Sequence, residues 1–381
     1  MATNVYGNGT TTATAGANTI VHYYDRAGVK AANRVNVYGQ FADRKSMPKK
    51  MGKTFKISKF LHMYDRALND AEFATKGFLT ARSVDEVSTA LTNASLAEGA
   101  GAVNKRSLQK VTMETSLARY GEMIDYTDEV ELFSEDAMQV RYREELGELA
   151  NSRYEDLIQL DMLSTGTVMF GGSATSIAEV DADSAVSYDL IRKAVRKLVR
   201  NRAQKNTQLV TGSNKIDTQT VAKAYYAIIG ANVKGDLETL TRGSVADNGM
   251  TEFVYIPAHK YASAATLAEG EVGAMHEVRF IESEAAVVYA GAGADATGYT
   301  GTLSVTGSNF DVFPILFPTQ GAFATVGLKG QGKIKFNSKS PEMVENANPY
   351  GTNGFFSYNF FYAGIILEEE KLLKVLVAAS A

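Results

Sequence analysis

Residues 134–163, SEDAMQVRYREELGELANSRYEDLIQLDML, carry the strongest single helical signal in the chain. Met138, Tyr142, Leu146, Leu149, Leu157 and Leu160 recur at steps of three and four residues or their sums, so they line one stripe of an α-helix with charge opposite. Ser134 is placed to cap that helix, Glu135 and Asp136 complement the positive end of its dipole, and no proline interrupts the run. At about 1.5 Å per residue the segment spans about 45 Å, far beyond the mean globular helix of about 11 to 12 residues. Two readings follow: a long helix covering the core of an ordinary α+β protein, or a spine crossing an elongated subunit. The rest of the chain decides between them.

With 381 residues and 45% hydrophobic content, the chain is long enough for two or three compact units with a real core. No run of about eighteen apolar residues occurs, and the start, MATNVYGNGT, is neither basic nor apolar. No membrane span or signal peptide is expected, and the protein is expected to be made and used without crossing a membrane. The absence of cysteine excludes disulfides, thiolate nucleophiles and cysteine metal sites. A formal charge of -4 provides no net pull toward nucleic acid, which argues against a sequence-reading DNA-binding protein and leaves only local basic faces.

Outward from the spine, residues 1–48 open with a Thr-, Gly-, Ala- and Asn-rich stretch too poor in large apolar groups to order itself, and read as an arm held by a neighbouring copy. Residues 49–118 read as a long two-stranded excursion. KTFKISKFL places Phe55, Ile57 and Leu61 opposite Lys56 and Ser58, and the alternation returns with Val111, Met113, Thr115 and Leu117 opposite Lys110, Thr112, Glu114 and Ser116. The intervening polar stretch, with Lys76, Arg82, Lys105 and Arg106, reads as a partly structured tip, and its lysines as a solvated edge or as salt-bridge donors to a neighbour. An isolated hairpin is marginal in water, so this one needs a partner.

After the spine, the small-residue stretch 166–183 reads as a domain boundary. A second amphipathic helix starts near Ser187, burying Leu190, Ile191, Ala194, Val195, Leu198 and Val199 and exposing Arg192, Lys193, Arg196, Lys197, Arg200 and Arg202. Strands at 224–229, 252–256 and 277–283, alternating with short helices, suggest a mixed α/β unit, with 291–307 as an exposed loop or small hairpin. Pro314 and Pro318 bracket a strand expected at a sheet edge. Phe355, Tyr358, Phe360, Tyr362 and Ile365 lie in an apolar strand pair expected to pack on the spine helix.

No catalytic, cofactor-binding or metal-ligating residue is assigned. His22, His62, His259 and His276 lack metal-ligand spacing. GLKGQGKI at 327–334 has the glycines and Lys333 of a phosphate loop, but Ile334 stands where Ser or Thr is required, so it reads as a turn between strands. Glu368, Glu369 and Glu370 form a charge run with no division between acid and base.

Four stretches in order, LARYGEMIDYTDEVELF (117–133), IRKAVRKL (191–198), EGEVGAMHEVRFIES (269–283) and NPYGTNGFFSYNFFYAGIILEEE (348–370), resemble landmarks of tailed-phage major capsid proteins of the N-four (enquatrovirus) type. The resemblance implies an α+β Hong Kong 97-type capsid fold: arm 1–48, extended loop 49–118, a peripheral domain 119–186 with its spine at 134–163, an axial domain 187–332, and return strands 333–381. It also implies a structural protein with no enzymatic activity. Copies would form hexamers and pentamers of an icosahedral virion shell, assembled in the host cytoplasm around double-stranded DNA touched non-specifically, with no membrane partner. No long charged helical leader precedes the arm, so a scaffolding protein is expected to be separate, as are any portal and decoration proteins. Some relatives of the fold crosslink a lysine to an asparagine; nothing here identifies such a pair. The competing expectations are an encapsulin-like compartment shell and, from a different class, an α/β enzyme or binding protein.

Overall fold

The computed structural model describes residues 36–61, 83–99, 104–105, 108–133, 138–210, 219–242, 252–261, 267–329, 334–344 and 348–381. In chain order the strands are β1 (Asp43–Met47), β2 (Thr54–Phe60), β3 (Lys110–Ser116), β4 (Ala118–Thr127), β5 (Val168–Phe170), β6 (Tyr225–Ile229), β7 (Thr241–Arg242), β8 (Glu252–Phe253) and β9 (Ile256–Pro257). They continue with β10 (Glu271–Met275), β11 (Val278–Glu282), β12 (Val305–Thr306), β13 (Asn309–Phe310), β14 (Phe313–Phe317), β15 (Phe323–Leu328), β16 (Lys335–Lys339), β17 (Asn353–Ile366) and β18 (Leu373–Val377). The helices are α1 (Val84–Ala94), α2 (Asp128–Phe133), α3 (Met138–Leu163), α4 (Tyr188–Arg200) and α5 (Ala231–Thr239).

Two sheets carry the body. A seven-stranded sheet runs β5-β18-β14-β6-β11-β10-β9. One of its faces, with Tyr225, Ala227, Ile229, Val278, Phe280, Ile315 and Val375, meets the apolar stripes of α4 and α5. Ser187 caps α4 by accepting a bond from the Leu190 N–H at 3.2 Å, as the sequence predicts. Residues of the opposite face, Ile228, Ile281 and Leu316, share a core with Leu146, Ala150, Ile158 and Met162 of α3 and with Phe356, Tyr358, Phe360 and Tyr362 of β17. β17 in turn belongs to a five-stranded sheet, β1-β15-β17-β16, with β4 also paired to it from Asn353↔Thr127 to Tyr362↔Ala118.

The long helix is present, but its buried line differs from the expected stripe. Leu146, Ala150, Ile158 and Met162 are buried, whereas Leu160 is 56% exposed. At about 100° per residue, each step of four turns about 40° around the axis, so a line of i+4 contacts winds round a long helix. By its C-terminal end the side that carries Leu146 has turned outward. The expected cap Ser134, with Glu135 and Asp136, lies outside the described residues.

Several expected boundaries move. The stretch 166–183, read as a turn region at a domain boundary, contributes β5, which pairs in parallel with β18; β5, expected in the 119–186 unit, and β18, expected among the return strands, both belong to the seven-stranded sheet. Conversely β15, expected in the axial unit, pairs with β17 beside the spine. Residues 43–47, expected in the arm, form β1 and pair in parallel with β15. β14 is interior rather than an edge strand, because its ladder to β6 registers only at Leu316↔Ile228, leaving Pro314 clear of the one position where a donor is needed. The expected aromatic strand pair is one strand of 14 residues. Alternation puts Phe356, not Phe355, on the spine face, and sends Ile365 into a separate cluster with Met47 and Leu117. Val199 is solvent-exposed at the edge of the α4 stripe. The stretch 291–307, read as an exposed loop or small hairpin, runs into the small hairpin β12–β13 and is tied to the body by bridges Tyr289↔Val312, Asp295↔Asn309 and Leu303↔Ser380.

Candidate assembly surfaces

Where the chain leaves residue 36 it docks on its own spine. The Tyr38 N–H donates to Glu155 Oε2 at 2.9 Å, the Gly39 N–H reaches both carboxylate oxygens at 3.2 Å, and Gln159 Nε2 donates to the Tyr38 hydroxyl at 2.8 Å. A Cβ on Gly39 would lie 2.6 Å from Glu155 Oε1, so any larger residue would push the carboxylate aside. Val37, Tyr38 and Met47 are buried. Glu155 and Gln159 thus have a use that helical periodicity could not reveal, because their partners lie 117 and 121 residues away. The preceding residues, read as an arm over a neighbour, lie outside the described residues.

The excursion after β1 is built in two parts. Its base is tied down: β2 and β3 pair from Thr54↔Ser116 to Phe60↔Lys110. Phe55, Ile57 and Met113 rest on Met47, Leu117, Ala324, Val326, Ala363 and Ile365, and Thr115 Oγ donates to the Gly364 carbonyl at 3.0 Å. Lys56 meets Glu114 across the strands at 2.7 Å, and this hydrogen-bonded ammonium holds the Glu114 carboxyl below its ordinary range. The basic face expected here is therefore partly neutralised within the hairpin.

Further out the excursion carries structure without cover. α1 starts with a reciprocal capping box, Glu86 N–H to Ser83 Oγ and Ser83 N–H to Glu86 Oε2, each 3.1 Å, with Asp85 and Glu86 complementing the dipole. Val84, Val87 and Leu91 fall on one side at helical spacing, yet no residue of α1 is buried; Val84 is 84% and Leu91 60% exposed. A helix of this length is marginal by itself in water. Lys76, Arg82 and Arg106 of the tip lie outside the described residues.

The body offers a complementary feature. Between α3 and the β16–β17 pair lies a groove of about 440 Å³ lined by Arg143, Leu146, Phe336, Asn337, Phe356 and Ser357. The Arg143 guanidinium sits 5.1 Å from the Phe356 ring centroid, and Phe336 is half-exposed. Leu132 and Phe133 of α2 and Val140 of α3 also face solvent, a run of apolar surface at one end of the spine.

The buried ionisable groups are structural. Arg279 and Glu271, on adjacent strands of the seven-stranded sheet, lie 3.8 Å apart with both side chains enclosed. Burial raises the Glu271 carboxyl, opposed by its bond from the Ala268 N–H and by Arg279. The Tyr261 and Tyr255 phenols beside them are pushed up, mainly by the same enclosure. Asp161 is likewise raised by burial against the bond it accepts from the Tyr362 hydroxyl at 2.7 Å. The Glu368–Glu370 run acts as a tether: Glu369 accepts from the Gly166 N–H at 2.7 Å, Glu368 pairs with Lys371 at 2.6 Å, and the Glu370 carbonyl accepts from Asn201 at 2.6 Å. Of the histidines, His276 sits in the turn between β10 and β11, edge-on to Tyr188, and His259 in the short helix at 258–260; His22 and His62 lie outside the described residues. Among the described residues no group of three or more His, Asp or Glu side chains gathers to hold a metal. The 330–333 part of the glycine-rich turn lies outside the described residues, and Gly327 ends up within β15.

The body buries one sheet under a long helix and extends a hairpin that is packed at its base and carries the exposed helix α1 further out. Solved structures share this fold: the capsid of Ralstonia phage GP4 matches with a TM-score of 0.60 at 12% identity, covering 95% of this chain and 96% of that one. The capsid of cyanophage Pam1 matches at 0.58 and 12% identity, covering 96% and 98%, so the fold is α+β of the Hong Kong 97 type. No protein-family model matches the chain. The major capsid protein of Pseudomonas phage KPP21 is 30% identical over 378 residues, 96% of this chain and 94% of that protein. The chain therefore belongs to the phage major capsid proteins; it is a structural component of the virion capsid and not an enzyme.

Proposed function

We propose that copies of this chain close, through head-to-tail contacts, into hexamers and pentamers of an icosahedral shell around double-stranded DNA, with residues 1–35 and the 49–118 excursion lying over neighbouring copies. One observation carries the reading: α1 is capped and formed while no residue in it is buried within its own subunit. Contacts between copies in the class of about 2,000 Å² or more would supply that cover. In this account the five-stranded sheet and α3 make the peripheral unit and the seven-stranded sheet the axial one, with β5 and β18 axial and β1 and β15 peripheral. The ordered landmark stretches support an enquatrovirus-type head, assembled in the host cytoplasm with separate scaffolding, portal and decoration proteins. Deleting residues 2–30 is expected to leave folded subunits that fail to make stable closed shells. Normal, heat-resistant particles from that deletion under the electron microscope would show the clamp role to be wrong.

A further inference from the structure

The outer side of α4 is a repeated array of positive charge. Arg192, Arg196 and Arg200 recur every four residues, about 6 Å apart along the axis, and Lys193 and Lys197 form a second row beside them. Residues 188–205 hold seven basic side chains and one acidic one, in a chain whose formal charge is -4. The helix is anchored from its other side, by Leu190, Ile191, Ala194, Val195 and Leu198. Its cations are not needed for that packing, and like charges four apart destabilise a helix.

Internal neutralisation is partial. Arg192 meets Asp189 at 3.4 Å, and Lys197 donates to the Val168 carbonyl at 3.0 Å. Lys193, Arg196 and Arg200 make no ion pair among the described residues. These three line an open groove of about 400 Å³ between α4 and β5, with Lys197, Met169 and Asn201, and Glu370 at its rim. The groove lacks a deep apolar floor, so it is poorly made for anchoring a peptide by its side chains. It suits a polyanion that presents charge at short, regular intervals, and duplex DNA carries one charge per about 1.7 Å of axis.

We propose that this face of α4 touches the phosphate backbone of packaged double-stranded DNA, without reading sequence, through Lys193, Arg196 and Arg200. The proposal rests on the reading of the chain as a DNA-enclosing shell, and adds which surface of the subunit faces the DNA. The test uses full-length chain with Lys193→Gln, Arg196→Gln and Arg200→Gln combined. Closed shells of wild type and variant under the electron microscope establish the shell reading independently; failure of the wild type to close would sink that reading instead. Binding of a short duplex to dissociated subunits, followed against salt, is expected to lose a slope of about 2.7 in log K against log salt, from about 0.9 per phosphate contact removed. An unchanged slope in a variant that still closes overturns the proposal. Should the variant fail to fold, acylation of Lys193 in wild-type particles decides: slow in DNA-filled heads and fast in emptied ones supports it, equal rates in both overturn it.

Discussion

The inner face of β17 and the outer part of the 49–118 excursion use the same local devices with opposite outcomes. On β17, alternation brings Phe356, Tyr358, Phe360 and Tyr362 to one side, all buried. Phe356 stacks on Tyr126 with ring centres 5.4 Å apart, and Tyr362 meets Tyr154 edge-on at 5.5 Å. In the excursion, β2 and β3 alternate as cleanly and α1 is better capped, yet Phe60, Val84 and Leu91 remain in solvent. Local sequence decides which element forms; burial decides whether its own subunit holds it.

The contrast can be broken most sharply at Phe360. Truncation by Phe360→Ala is expected to cost about 3 to 5 kcal/mol in urea unfolding of dissociated subunits. A smaller loss follows at the docking point of residues 37–39. Glu155→Ala leaves the buried Tyr38 N–H and the half-buried Gly39 N–H without their acceptor and should cost about 1 to 3 kcal/mol, with faster amide exchange in β1. Val84→Asp with Leu91→Asp should change subunit stability by no more than about 0.5 kcal/mol, since both face outward, while abolishing closed shells by electron microscopy. If that pair unfolded the subunit instead, the division between held and borrowed elements would be wrong.

The smallest effect is one of pH. Asp161 is raised above 3.8 by burial, so the folded state binds its proton more tightly than the unfolded chain does. Stability should therefore decline as pH rises from 3.8 through the higher folded value. Asp161→Asn keeps an oxygen for the Tyr362 hydroxyl and removes the titration. Melting curves should show the wild type losing ground to the variant across that range, and a parallel course would contradict the assignment.

Much of the fold is legible where one element signals alone. The existence of the spine helix, α4 with its Ser187 cap and the β2–β3 alternation read from the sequence because their periods are local, whereas the spine's buried line and the exposure of Val199 do not. What escapes is decided at a distance. Glu155 and Gln159 look like ordinary members of the charged face opposite the apolar stripe until Tyr38 is brought to them. β5, three residues in a small-residue stretch, is ordered by β18, and β1, with Asp43, Arg44 and Lys45, by β15. Pro314 marks an edge by composition, but sits in the sheet interior because the ladder there is almost absent. The need of the hairpin for packing is visible in the chain, and its base finds that packing on its own body, whereas α1 falls within a stretch that reads only as a partly structured tip.

Amide hydrogen exchange over residues 84–94, compared between dissociated subunits and closed shells, addresses the borrowed-cover claim directly. Fast exchange in the free subunit and strong slowing in the shell is the expected result. Equal protection in both states, or none in the shell, would mean that no neighbour completes α1.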